Sequence, residues 1–104
     1  MVNTSNNLVL VRGAGDLATG VILRLASAGF RVAALEVASP SAIRRTVSFS
    51  EAVYEGEVEV EGLRARRCDA LPEAWDPGAP VPILVDPDGH TLDATRPAAL
   101  VDAI

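Results

Sequence analysis

Lysine is absent from the 104-residue chain, so all nine basic residues are arginine. That rules out Schiff-base chemistry and a P-loop lysine within this sequence. The one cysteine, Cys68, has no partner for an internal disulfide, which fits a reducing compartment and an inert, buried thiol. With one histidine, His90, no Ser-His-Asp arrangement stands out, and its place after a turn predicts a surface residue. No apolar run approaches the roughly 20 residues that span a bilayer. Met1 to Asn7 is polar and uncharged, unlike a signal peptide. Acidic residues outnumber basic ones by 14 to 9, for a net charge of -5, which argues against nucleic acid and anionic membranes as partners. Asp86, Asp88 and Asp93 miss the spacing of a calcium loop, so no metal site is expected there. The expectation is a cytoplasmic protein.

What remains is globular: 49% hydrophobic and 22% charged, enough apolar content to fold. A chain of this length forms one domain, residues 1–104, and buries about two-thirds of its unfolded surface. Leu8 to Val11 is a continuous apolar run, the pattern of a strand buried on both faces. Leu17, Val21, Leu25 and Ala28 recur at helical spacing, and Gly29 stands where a left-handed cap belongs. "RVAALEV", Arg31 to Val37, reads as a second strand. Two such strands around one helix predict a parallel βαβ unit.

Further along, "SFSE", Ser48 to Glu51, fits a capping box that opens a short helix closed by Gly56. "EVEVEGLRAR", Glu57 to Arg66, predicts a hairpin turning at Glu61-Gly62. Val60 then faces Leu63 and Val58 faces Ala65, while Glu59 meets Arg64 and Glu57 meets Arg66. Cys68 to Pro82 reads mostly as loop, anchored by Trp75. Ile83 to Asp86 is a third buried strand, ended by the turn at Pro87 to Gly89. The final segment admits a helix capped by Thr95 or a buried strand, Ala99 to Ile104. The fold class expected is α/β, a Rossmann-like, mostly parallel sheet with an inserted β-hairpin.

The chemistry concentrates in "RGAGDLATGV". Gly13, Gly15 and Ala18 fit G-x-G-x-x-[G/A] between a strand and a helix. The first glycine makes the turn, the second admits a pyrophosphate, and the small third residue lets helix and strand pack closely. The amides of the turn, through Ala14 and Leu17, then face the anion. The motif asks for an acid about 20 residues on, and Glu36 stands there. Its carboxylate would bond ribose hydroxyls and repel a 2′-phosphate, or simply mark where the strand leaves the core. Asp16 could cap the helix, coordinate a metal or bond a ligand hydroxyl. Arg44 and Arg45, in "AIRRTVSFS", could bind phosphate or carboxylate, or pair with surface glutamates. The ligand these residues suggest is a nucleotide or dinucleotide.

"RGAGDLATGV" and "AIRRTVSFSEAVYEG" together resemble the selenium-dependent molybdenum hydroxylase system proteins. "PILVDPDG" and the closing "VDAI" follow in the same order. The likeness runs from Leu8 to Ile104 and is to the amino-terminal part of that family. It implies a Rossmann-like accessory protein that matures or inserts the molybdenum cofactor of a hydroxylase. It also implies that the last segment is a strand. The ligand is then the dinucleotide form of that cofactor or a related pterin phosphate, and a hydroxylase subunit is the partner. An NAD-dependent oxidoreductase and a non-catalytic docking module remain as alternatives, and an exposed parallel edge suggests a homodimer.

Overall fold

Leu8, Val9, Leu10 and Val11 alternate between two hydrophobic layers, so the first strand belongs to a sheet covered on both faces. The structure is a computed structural model and describes residues 7–37, 48–72, 78–95 and 97–103. Strand β1 (Leu8–Arg12) leads through the glycine turn into helix α1 (Asp16–Ser27), then β2 (Arg31–Glu36). A 3-10 turn (Phe49–Glu51) runs into α2 (Ala52–Glu55). The hairpin β3 (Glu57–Val60) and β4 (Leu63–Cys68) follows, then β5 (Val81–Val85), α3 (His90–Thr95) and β6 (Ala99–Asp102).

The six strands form one sheet in the order β3-β4-β5-β2-β1-β6. All neighbours are parallel except β3 and β4, so the fold is α/β with an appended hairpin, as expected. Val9, Val11, Val32, Ala34 and Ile83 form one layer with Ala18, Ile22, Phe49 and Val53 of the helical segments. Leu8, Leu10, Ala33, Leu35 and Leu84 form the other, against Leu71 and Leu92. Phe49 and Ile22 are fully buried, each contributing about 1.5–3 kcal/mol relative to exposure.

The hairpin follows the expected register at all four pairs. Glu61 and Gly62 both take positive φ, 50° and 82°, as a two-residue type I′ loop requires. Arg66 meets Glu57 at 2.9 Å, whereas Arg64 donates to the Gly78 carbonyl at 3.0 Å.

Several expectations change. Helix α1 turns Ala18 and Ile22 fully inward; of the expected face, Val21 and Leu25 are half-buried against the core, whereas Leu17 is 70% exposed and Ala28 is exposed. The Ser48 capping box does not form: Ser48 Oγ shares a hydrogen bond with Ser50 Oγ at 2.7 Å instead. β4 extends to Cys68 and β5 starts at Val81, both inside the stretch expected to be loop. Trp75 lies outside the described residues. Pro82 is accommodated because Asp86 donates toward β2, and alternation points the amide position of residue 82 the same way. Pairing with β2 begins only at Ile83, so no ladder bond is lost. Helix α3 follows the turn at Pro87 to Gly89, over residues for which no element was expected, and the final segment is the strand β6, a largely exposed one rather than buried.

Candidate functional site

The site assembles where β1 ends. Gly13 takes φ 103°, a left-handed backbone that favours glycine, and its amide donates to Leu35 O at 2.7 Å. The chain thus bends toward β2 before turning into α1. The next amide, Ala14 N–H, donates to Glu36 Oε2 at 2.8 Å. The other carboxylate oxygen, Oε1, accepts the Val37 amide at 2.9 Å. Two backbone donors therefore orient Glu36 at the mouth of the turn, each leaving its oxygen with further acceptor capacity.

From behind, the turn is braced by a buried polar cluster. The Ala14 carbonyl accepts the Ser50 amide at 2.7 Å and the Thr19 hydroxyl at 3.1 Å. Thr19 Oγ1 in turn accepts the Phe49 amide at 2.9 Å. Thr19 is nearly buried, so one hydroxyl ties the first turn of α1 to both neighbours. Among the described residues no buried side-chain polar atom lacks a partner.

Gly15 is the N-cap of α1 and has no side chain to offer the helix amides. Its φ of -74° and ψ of -160° are open to any residue, so backbone strain does not demand glycine there. Asp16 is the first helical residue, and its side chain lies outside what is described. Leu17 projects into solvent beside the turn, with Val37, 43% exposed, at the end of β2. Arg44 and Arg45 lie outside the described residues. The structure brings together Gly13, Ala14, Gly15, Leu17 and Glu36 of the expected set.

Two further residues belong to the same edge and escape a reading of the sequence. Arg12 and Asp102 are register partners at the ends of β1 and β6, and their side chains meet at 3.1 Å. By alternation Glu36 lies on the α1 face of the sheet and Arg12 on the α3 face. At the end of β5, Asp86 accepts the His90 amide at 3.0 Å and the Thr91 amide at 2.8 Å, capping α3. Burial pushes its carboxyl up, but the Thr91 amide and hydroxyl and the His90 amide outweigh that and hold it below the ordinary range. His90 is exposed, 3.7 Å from Asp88. Cys68 is half-buried rather than buried, and desolvation raises its thiol above the ordinary value.

Counting the five parallel strands alone, the order is third, fourth, second, first, fifth, and it reverses between β1 and β6. In open α/β sheets the crevice outside the carboxyl ends at such a reversal is the ligand site. Gly13 and the Arg12–Asp102 pair sit at that reversal. A depression of about 510 Å³ lies at the other end of the strands, beside Phe30, Arg31, Gly62 and Arg64, away from these donors. Among the described residues no cluster of His, Cys, Asp or Glu could hold a metal, and no helix is long and apolar enough to cross a membrane.

Fold and site define an α/β domain with a glycine-turn crevice at a strand-order reversal. The chain is 47% identical, over 104 aligned residues, to the uncharacterized protein YqeB of Escherichia coli (strain K12). That match covers 97% of this chain and 19% of YqeB, so the chain spans only a minor part of this relative's length. No family model matches the chain, and no solved structure matches it.

Proposed function

We propose that the turn from Gly13 to Ala18 binds the phosphates of a nucleotide or dinucleotide and that Glu36 holds its ribose. The observation that carries this reading is the placement of Glu36 on the Ala14 amide, 2.8 Å away. An acid at the end of the second strand, locked onto the glycine turn, is where a dinucleotide site needs its ribose acceptor. The first-turn amides of α1 and its macrodipole favour an anion. The Gly13 and Ala14 amides are taken by Leu35 O and Glu36 Oε2, so the phosphate donors of this reading are the α1 amides beyond them, where the N-cap Gly15 has no side chain to compete and Glu36 retains acceptor capacity. Arg44 and Arg45 are candidates for outer charges of the ligand.

Together with the resemblance of "RGAGDLATGV" and "AIRRTVSFSEAVYEG" to molybdenum hydroxylase accessory proteins, this supports a cytoplasmic role in maturing the molybdenum cofactor. The ligand is then the dinucleotide form of that cofactor or a related pterin phosphate, and the partner a hydroxylase subunit. Use of NAD by an oxidoreductase would employ the same crevice. A docking module is the second reading, favoured by Leu17, which stands 70% exposed beside the turn.

Native mass spectrometry of the purified protein, then thermal shift against NAD, NADP, AMP, CTP and cytidine diphosphate, tests the proposal. Stabilisation that vanishes in Gly15→Val supports it, and cytidine compounds acting alone favour cofactor maturation. No response across the panel overturns nucleotide binding and leaves the docking module.

A further inference from the structure

At the amino ends of the strands, β2 and β5 lie side by side before their ladder begins. The Arg31 amide donates to Asn7 O at 3.2 Å and Leu35 O accepts the Gly13 amide, so odd-numbered residues of β2 turn their peptide groups toward β1. Those of Val32, Ala34 and Glu36 therefore face β5, as the bond from the Asp86 amide to Glu36 O shows. The ladder to β5 starts at Ala34 and Ile83. Val32 stands just before it, and Pro82 has no amide to give the Val32 carbonyl. Among the described residues neither peptide group of Val32 finds a backbone partner on β5, although the residue is only 3% exposed. A buried N–H and C=O so placed call for a partner.

They face the depression of about 510 Å³, with β2 on one side and the starts of β4 and β5 on the other. Phe30, Val32, Leu63 and Pro80 give it apolar walls, and Arg31 and Arg64 are the charged residues that line it. Arg64 turns from Glu59, its register partner, to Gly78 O at 3.0 Å, a bond that uses one of its five N–H groups. Arg31, held by Asn7 Oδ1 at 2.6 Å, adds a second positive charge. The chain as a whole is acidic, yet no carboxylate appears among these lining residues.

We propose that this cleft binds an N-acylated amino acid with an apolar side chain. Such a molecule carries an N–H and a carboxylate at the spacing of a strand residue. Its N–H donates to the Val32 carbonyl, and one carboxylate oxygen accepts the Val32 amide, the two-bond exchange of an antiparallel pair. The other carboxylate oxygen meets Arg64 in a charge-assisted bond. The side chain lies against Phe30 and Leu63. Acylation matters because a free ammonium would stand beside two guanidiniums. The volume falls within the range of small-molecule sites. The inference is independent of nucleotide binding.

Titration of N-acetyl-L-phenylalanine into the isotope-labelled chain, followed by amide NMR shifts, is the test. Saturable shifts are expected at Val32, Leu63, Arg64 and Ala79, with a Kd on the order of 1 mM for a ligand of this size. Two changes to the probe leave the protein untouched. N-acetylphenylalaninamide lacks the charge for Arg64, and N-acetyl-N-methylphenylalanine lacks the donor to Val32. Each should bind about tenfold more weakly or worse, and so should the parent probe to Arg64→Gln, whose exposed side chain leaves the fold intact. No saturable shift up to the solubility of the probe overturns the inference. So do shifts confined to the carboxyl edge around Ala14 and Glu36, or affinities that the N-methyl group and Arg64→Gln leave unchanged.

Discussion

Glu36 Oε2 accepts the Ala14 amide at 2.8 Å, joining residues 22 apart in the chain at the point where β2 ends and the glycine turn begins. The carboxylate is thereby held in one orientation before any ligand arrives, which lowers the ordering cost of binding. If it meets the ribose, Glu36→Gln weakens an NAD-type ligand by about tenfold or more, the scale of a hydrogen bond to a charged group. The same change narrows discrimination against a 2′-phosphate. Titration calorimetry with NAD and NADP measures both; unchanged affinities would separate Glu36 from the ligand.

Gly13 and Gly15 should fail differently. Gly13→Ala forces a β-carbon into φ 103° and is expected to cost about 1–3 kcal/mol of folding stability. Gly15→Val meets an ordinary backbone and should keep the melting temperature near that of the unsubstituted chain while abolishing phosphate binding. Denaturant titration of each variant separates the two outcomes, and equal destabilisation would contradict the assignment.

Thr19→Val keeps the shape of the side chain and deletes its hydroxyl. The buried Phe49 amide then loses its acceptor and the Ala14 carbonyl loses one donor. The expected loss is about 1–3 kcal/mol in chemical denaturation. A variant as stable as the parent would show that the cluster does not brace the turn.

The Asp86 carboxyl lies below its ordinary 3.8, so it binds protons more weakly folded than unfolded. Its contribution is complete at neutral pH, declines as pH falls toward 3.8, and is gone below the lowered folded value. Asp86→Ala should cost about 1 kcal/mol at neutral pH, as loss of a helix cap does. Thermal melts at neutral and acid pH should show that difference shrinking in acid; a constant gap would place its origin outside the carboxylate.

The hairpin was legible because both of its faces carried information: Val58 and Val60 on one, Glu57 and Glu59 on the other. A slip of one residue would have mismatched apolar groups and charges at once. The strand, glycine turn and acid of the candidate site were legible for a related reason, since each type answers a local need at fixed spacing. The inner face of α1 was not, because apolar residues stand at both 17, 21, 25 and 18, 22. The packed helix buries 18 and 22 and leaves 21 and 25 half-buried at their flank, a phase that spacing alone does not choose. Helix α3 was hidden by its brevity and by a cap, Asp86, supplied from the strand across a turn. The Arg12–Asp102 pair joins positions 90 apart and follows only from the order of strands.

The glutamates of β3 also set a limit on growth at that margin of the sheet. A second β3 brought alongside would set carboxylate against carboxylate, so this border resists the strand-by-strand addition by which an open sheet propagates into a fibre.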